Sequence, residues 1–135
     1  MTTVQRVAKI FGIVFILLAL AGFYTGGMNM EADPATAPTI MGMFPINLVH
    51  NIVYLLFGIW GLAASRSWSG AKQYAQIAGV LCLLLAGIGF VAKDGFGFVP
   101  LGGNNIWLNL ALGVILVGVG FTAKPETMPP AGSTI

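Results

Sequence analysis

Phe44-Pro45-Ile46-Asn47-Leu48-Val49-His50-Asn51-Ile52-Val53-Tyr54-Leu55-Leu56-Phe57-Gly58 is apolar enough to enter a bilayer, yet it carries polar side chains at a helical spacing. Asn47, His50, Asn51, Tyr54, Gly58 and Gly61 recur every three or four residues, so in a helix they form a single stripe. An unpaired polar group in hydrocarbon costs several kcal/mol, so this stripe must look toward protein and the opposite face toward lipid. The polar members precede the glycines, which puts the polar half of the stripe near one membrane surface.

The rest of the chain supports the same solvent. Of 135 residues, 57% are hydrophobic and 7% are charged, whereas soluble domains carry about a quarter charged residues. The apolar residues fall in unbroken helix-length blocks and not in the short alternating runs of a barrel. Four spans are expected, at about 7–24, 45–64, 73–92 and 105–122, giving one transmembrane domain over 1–123. The first block follows Arg6 and Lys9 and ends at Thr25-Gly26-Gly27. Ala19-Leu20-Ala21 resembles a signal-peptide cleavage site, so removal of this block is the alternative to the expected retained helix. The GxxxG spacing of Gly22 and Gly26 reads as a breaking turn at the helix end. Residues 28–44, with Glu31, Asp33, Pro34 and Pro38, are too polar and proline-rich for hydrocarbon and form an exposed loop. Pro45 suits a first helical turn, and Ser65-Arg66-Ser67-Trp68-Ser69-Gly70 makes a short connection. Lys93 to Gly103, rich in glycine and aromatics, reads as an interfacial loop, with Lys93 and Asp94 a solvated boundary pair. Pro125, Pro129 and Pro130 predict a flexible cytoplasmic tail over 124–135.

Basic residues set the orientation, because Lys and Arg are retained on the cytoplasmic side. With four spans, Arg6, Lys9, Arg66, Lys72 and Lys124 fall on one face and Lys93 on the other, so both termini are expected in the cytoplasm. Trp68 and Tyr74 inside, and Tyr24, Phe98 and Trp107 outside, match the aromatic belts of headgroup depth. The net charge of +2 is scattered, which suggests neither nucleic acid nor a polybasic lipid patch as partner. An internal echo is also present: Pro45, His50, Tyr54 and Gly58 recur as Pro100, Asn105, Asn109 and Gly113. Two parallel helix-loop-helix repeats, related by an axis along the membrane normal, would produce it.

The chemistry available is sparse. In the fourth helix Asn105 and Asn109 share the depth of His50 and Tyr54, followed by Gly113 and Gly120. The second and fourth helices are therefore expected to meet polar to polar outside, and glycine to glycine (Gly58 and Gly61 against Gly113 and Gly120) inside. The simplest use of Asn47, His50, Asn51, Tyr54, Asn105 and Asn109 is hydrogen bonding between helices, at about 0.6 kcal/mol per contact. The alternative is a pocket for a small ligand or ion. A third reading makes His50 an axial ligand of haem or chlorophyll. With a single histidine, bis-histidine haem lacks its partner and zinc lacks its ligand set, so no cofactor and no metal are expected. No set of nucleophile, base and orienting group is visible, so an enzyme is not expected. Cys82, inside an apolar run, reads as a small hydrophobe.

The stretch quoted above, together with Phe98-Val99-Pro100-Leu101 and Leu108-Asn109-Leu110-Ala111-Leu112-Gly113, is similar to a family of small bacterial four-span membrane proteins catalogued as a domain of unknown function. The likeness covers nearly the whole chain, and its most specific part is the Asn-x-x-His-Asn second helix. Histidine is common in that family where this chain has Tyr54 and Asn109, while His50 matches. If those histidines form a metal or haem site, this chain lacks two of three and keeps a hydrogen-bonded bundle. The resemblance implies the fold and the bacterial inner membrane, and no activity. The expected protein is an all-α integral membrane four-helix bundle with a structural or accessory role, in contact with lipid and with subunits of a larger membrane complex or with copies of itself.

Overall fold

Three of the four long helices begin where a side chain satisfies a free N–H group of the first turn; the last begins after Gly103, which has no side chain to cap it. A computed structural model describes residues 1–125. α1 (Thr3–Gly26) starts earlier than its apolar block because Thr2 and Gln5 form a reciprocal cap: Gln5 N–H donates to Thr2 Oγ1 at 3.4 Å, and Thr2 N–H to Gln5 Oε1 at 2.9 Å. It stops at Gly27, whose φ of 55° favours glycine and whose N–H reaches Phe23 O at 2.8 Å. α2 (Leu48–Ala64) starts later than proline placement suggests. Asn47 is its cap, with Oδ1 accepting from His50 N–H at 2.9 Å. Pro45 instead lies in a two-residue strand, β2 (Phe44–Pro45), antiparallel to β1 (Thr39–Ile40). Ser67 caps α3 (Trp68–Val91), so that helix absorbs Trp68, Ser69 and Gly70, which had read as connection. A single 3₁₀ turn (Gly95–Gly97) precedes α4 (Asn104–Thr122). The proposed tail lies, apart from Lys124 and Pro125, outside the described residues.

The architecture is an all-helical membrane bundle. α1, α3 and α4 are long and apolar enough to cross a membrane. α2 has 17 residues, or about 25 Å of helix, the short end of what spans.

Packing runs in two antiparallel pairs, α1 with α2 and α3 with α4, and α1 also lies against α3. Val4, Ala8, Gly12, Phe15, Ala19 and Gly22 are the buried residues of α1. One constant interval later, Ala71, Ala75, Gly79, Cys82, Ala86 and Gly89 are buried in α3. The same holds for the second member of each pair: His50, Tyr54, Phe57, Gly58 and Gly61 are buried in α2, and Asn105, Asn109, Leu112, Gly113 and Leu116 in α4. The second interval is shorter because the loop after α1 is the longer of the two. The contacts repeat as well as the burial. A Cβ on Gly58 would stand 2.8 Å from Gly12 O, and one on Gly113 2.9 Å from Gly79 O. A Cβ on Gly12 would meet Leu62 N at 2.9 Å, and one on Gly79 the equivalent Val117 N at 2.7 Å. Helix backbones at this separation pack by van der Waals contact, which holds helices together in lipid without a hydrophobic driving force.

The glycine expectation is therefore corrected. Gly58 and Gly61 face Gly12 and Ala8 of α1, whereas Gly113 and Gly120 face Gly79, Ala75 and Gln76 of α3. Small residues sort by sequence-adjacent antiparallel pair, α1 with α2 across the first loop and α3 with α4 across the last, and not across the short turn (Ser65 to Ser67) that joins α2 to α3. Gly22 and Gly26 are also corrected: α1 runs through both, and they admit Asn51 and Ile46 with Pro38 against the helix. Tyr74 is not in an aromatic belt. It is fully buried, its hydroxyl donates to Phe57 O at 3.0 Å, and its ring meets Trp60 edge-on at 4.9 Å.

The two ends of the bundle differ in their ties. At the terminal end, Gln5 Nε2 donates to Ser65 O at 3.1 Å, Gln76 Nε2 to Gly120 O at 3.1 Å and Lys72 Nζ to Ala123 O at 3.3 Å. Lys72 thereby meets the negative end of α4. At the opposite end, called the loop end below, the ties run between the two pairs.

Candidate functional site

The loop end brings together the polar residues of both repeats. Because Asn47 caps α2, its side chain is not on the helical stripe. It points into the loops, where Nδ2 donates to Phe98 O at 2.9 Å and approaches Met30 O at 3.5 Å. One turn on, His50 is 2% exposed, and its ring stacks at a tilt on Tyr54 with centroids 4.1 Å apart. Tyr54 is braced from α1 by the edge-on ring of Phe15 at 5.1 Å, and its hydroxyl donates to Asn109 Oδ1. Tyr54 and Asn109 hold equivalent places in the two repeats, so this bond crosses the pseudo-two-fold axis. Asn105, the equivalent of His50, donates from Nδ2 to the carbonyls of Pro45 and Pro100, the latter at 2.8 Å, and those prolines are themselves equivalent. Asn104 adds a bond from Nδ2 to Met43 O at 2.9 Å.

Polar therefore meets polar across α2 and α4 at this end. Asn51 stands apart, on the α1 side of α2, in the space that the missing Cβ of Gly22 leaves. Gly22 is the residue that sequence reasoning missed. The available signal was its spacing from Gly12 and Ala19, which puts it on the buried face of α1.

Not every polar atom in the cluster is satisfied. Both ring nitrogens of His50, both amide atoms of Asn51, Asn105 Oδ1 and Asn109 Nδ2 are buried without a hydrogen-bond partner. Buried polar atoms in native proteins are nearly always paired, with protein or with ordered water. A cavity of about 30 Å³ lies between His50, Tyr54 and Asn109 on one side and Val53, Leu85 and Leu101 on the other. One or two waters fill such a volume. Among the described residues, no three His, Cys, Asp or Glu side chains come together as a metal site.

Fold and site together define a small membrane bundle of two helix-pair repeats, joined at one end by asparagine and tyrosine side chains. The chain belongs to the family described as Domain of unknown function (DUF4383), whose profile matches residues 5–122. No curated protein and no solved structure matches it.

Proposed function

We propose that this chain is a structural or accessory protein of the bacterial inner membrane, without enzymatic activity, that sits beside a larger membrane complex with both termini in the cytoplasm. The observation that carries this reading is the use made of the buried amides. Asn47, Asn105 and Asn109 spend their hydrogen bonds on tying one repeat to the other and on holding the loops. Side chains committed in this way make a rigid body whose work is done at its surface. That surface is broad and apolar, with Leu17 and Leu20 on α1, Leu56 and Ile59 on α2, Leu84 on α3 and Phe121 on α4 all exposed. Lipid covers it, together with the partner the proposal requires. The orientation rests on the basic residues at the terminal end.

The test is mild-detergent extraction from the native inner membrane, after labelling of a Thr36→Cys variant in intact spheroplasts with a membrane-impermeant maleimide. Companion subunits and a labelled loop are expected. Extraction of the chain with no companion would end the accessory reading, and a loop labelled only after lysis would reverse the orientation.

A second reading, a pocket for a small polar ligand at His50, is favoured by the unpartnered nitrogens of His50 and Asn109 beside the 30 Å³ cavity. It limits the guest to the size of a few heavy atoms.

A further inference from the structure

Methionine is distributed unevenly in this protein. Four of its six methionines, Met28, Met30, Met41 and Met43, lie in the first loop, and α1 to α4 contain none. They form two Met-x-Met pairs, Met28-Asn29-Met30 and Met41-Gly42-Met43. All four are exposed, by 74%, 52%, 83% and 46% respectively. Buried apolar positions are instead filled by Ala, Leu, Ile, Val and aromatics. A loop that needed only an apolar surface would be served by those same residues. What methionine adds is a thioether sulfur.

The loop holds its backbone in place and leaves these side chains free. Asn29 O accepts from Leu48 N–H at 2.8 Å, Asn47 Nδ2 approaches Met30 O at 3.5 Å, and Asn104 Nδ2 donates to Met43 O. The second pair occupies the tip of the β1–β2 hairpin, where Met43 N–H reaches Ile40 O at 3.0 Å and Met41 takes a positive φ of 55°. A left-handed backbone is strained for a side chain of this size. The hairpin accepts that strain while presenting Met41 to the outside.

The chemistry of the segment selects among ligands. It has no histidine and no cysteine, so zinc and other borderline dications find neither imidazole nor thiolate. Its two carboxylates serve turns, Glu31 Oε1 accepting from Asp33 N–H and Asp33 Oδ1 from Ala35 N–H. They still leave the loop negative, since no Lys or Arg occurs between Lys9 and Arg66. Thioether sulfur is a soft, neutral donor that suits monovalent copper.

We propose that the two Met-x-Met pairs of the first loop bind a soft monovalent metal ion, Cu⁺, through thioether sulfur. Binding leaves the metal in its oxidation state and transfers no electron. The site is independent of the accessory role proposed above.

The probe is Ag⁺, which has the same charge and softness as Cu⁺ and needs no reductant. The full chain in detergent, in chloride-free buffer, is dialysed against Ag⁺ beside the M28L/M30L/M41L/M43L variant, and bound silver is counted by mass spectrometry. Leucine keeps the volume and apolarity of methionine at these exposed positions, so the variant retains the fold, which circular dichroism checks. Cys82 is present in both proteins and cancels. The expected result is one or two Ag⁺ bound to the natural chain at micromolar free metal, with affinity lower by on the order of tenfold or more in the variant. Equal silver on the two proteins would overturn the proposal. Binding of Zn²⁺ equal to that of Ag⁺ would also overturn it, since thioethers do not discriminate in that direction.

Discussion

The two helix pairs share their packing and differ in their chemistry. Along α1 and α3, every buried position of the first is buried in the second, and apart from Val4 and Phe15 the residues are small in both. Along α2 and α4 the glycine at the closest approach is common to both, Gly58 and Gly113. Deeper in the bundle Phe15 answers to Cys82 and Gly61 to Leu116, and the polar differences gather at the loop end. His50 corresponds to Asn105, Asn51 to Ile106, Tyr54 to Asn109, and a long loop with four methionines to a compact one built on positive φ at Gly95, Phe96 and Gly97. Where backbone meets backbone in both repeats, as at Gly58 and Gly113, close packing forbids even one added methyl. The loop end carries no such constraint, and there the repeats have become unequal. The first pair keeps the imidazole and the sulfur, and the second supplies the amides that hold the loops.

The largest expected effect tests the shared part. Gly58→Ala and Gly113→Ala each place a methyl against a backbone carbonyl on the neighbouring helix, which cannot rotate away. Each should lower stability in detergent by about 2 kcal/mol, overpacking exceeding the ~1 kcal/mol that alanine gains over glycine as a helix former. Gly87→Ala and Gly118→Ala, where a Cβ meets nothing within 4 Å, should show that gain alone. Unfolding by graded SDS in mixed micelles measures all four. A large loss at Gly58 with none at Gly113 would break the equivalence of the pairs.

A smaller effect tests the bond on the pseudo-two-fold axis. Tyr54→Phe and Asn109→Leu should each cost about 1 kcal/mol or less, and in a double-mutant cycle they should couple by about 0.6 kcal/mol, the average for such contacts in membranes. Additive losses would mean that the repeats are held together by the loops and not by this pair.

How much of this was legible in the sequence depends on whether a feature is local. The four apolar blocks and the buried stripe of α2 follow from periodicity, which a single helix records by itself. The repeat was visible from four matched residues, because a duplicated unit leaves its landmarks at one interval. Partner choice was not legible. Gly58 and Gly113 are both glycines on buried faces, and nothing in either helix says whether the facing backbone is α1, α3 or the other glycine. Asn47 was placed on the stripe by spacing and in fact caps the helix, since an asparagine before an apolar run serves either use until the backbone of residue 47 is known. Tyr74 sits close enough to Lys72 to suggest a headgroup anchor, and only the position of Phe57 O across the bundle shows why it is buried.

The smallest effect, that of His50→Leu, is the most informative about function, and it is measured against the larger loss at the equivalent residue Asn105. Asn105→Leu removes a donor shared by the carbonyls of Pro45 and Pro100 and leaves two buried acceptors unpaired, so it should destabilise the protein by about 1–3 kcal/mol. His50→Leu removes a ring whose two nitrogens have no partner in the protein. Replacing a buried unsatisfied group by an apolar one of similar size is close to neutral or stabilising, so the expected change is under about 1 kcal/mol and toward greater stability. If His50→Leu costs as much as Asn105→Leu, the imidazole is paired in the membrane with something other than this chain, a water or a small polar guest in the adjoining cavity. The pocket reading would then gain over the structural one. A neutral or stabilising His50→Leu, with Asn105→Leu damaging, would leave the second repeat as the fastener of the loop end and His50 as an unpaired ring beside it.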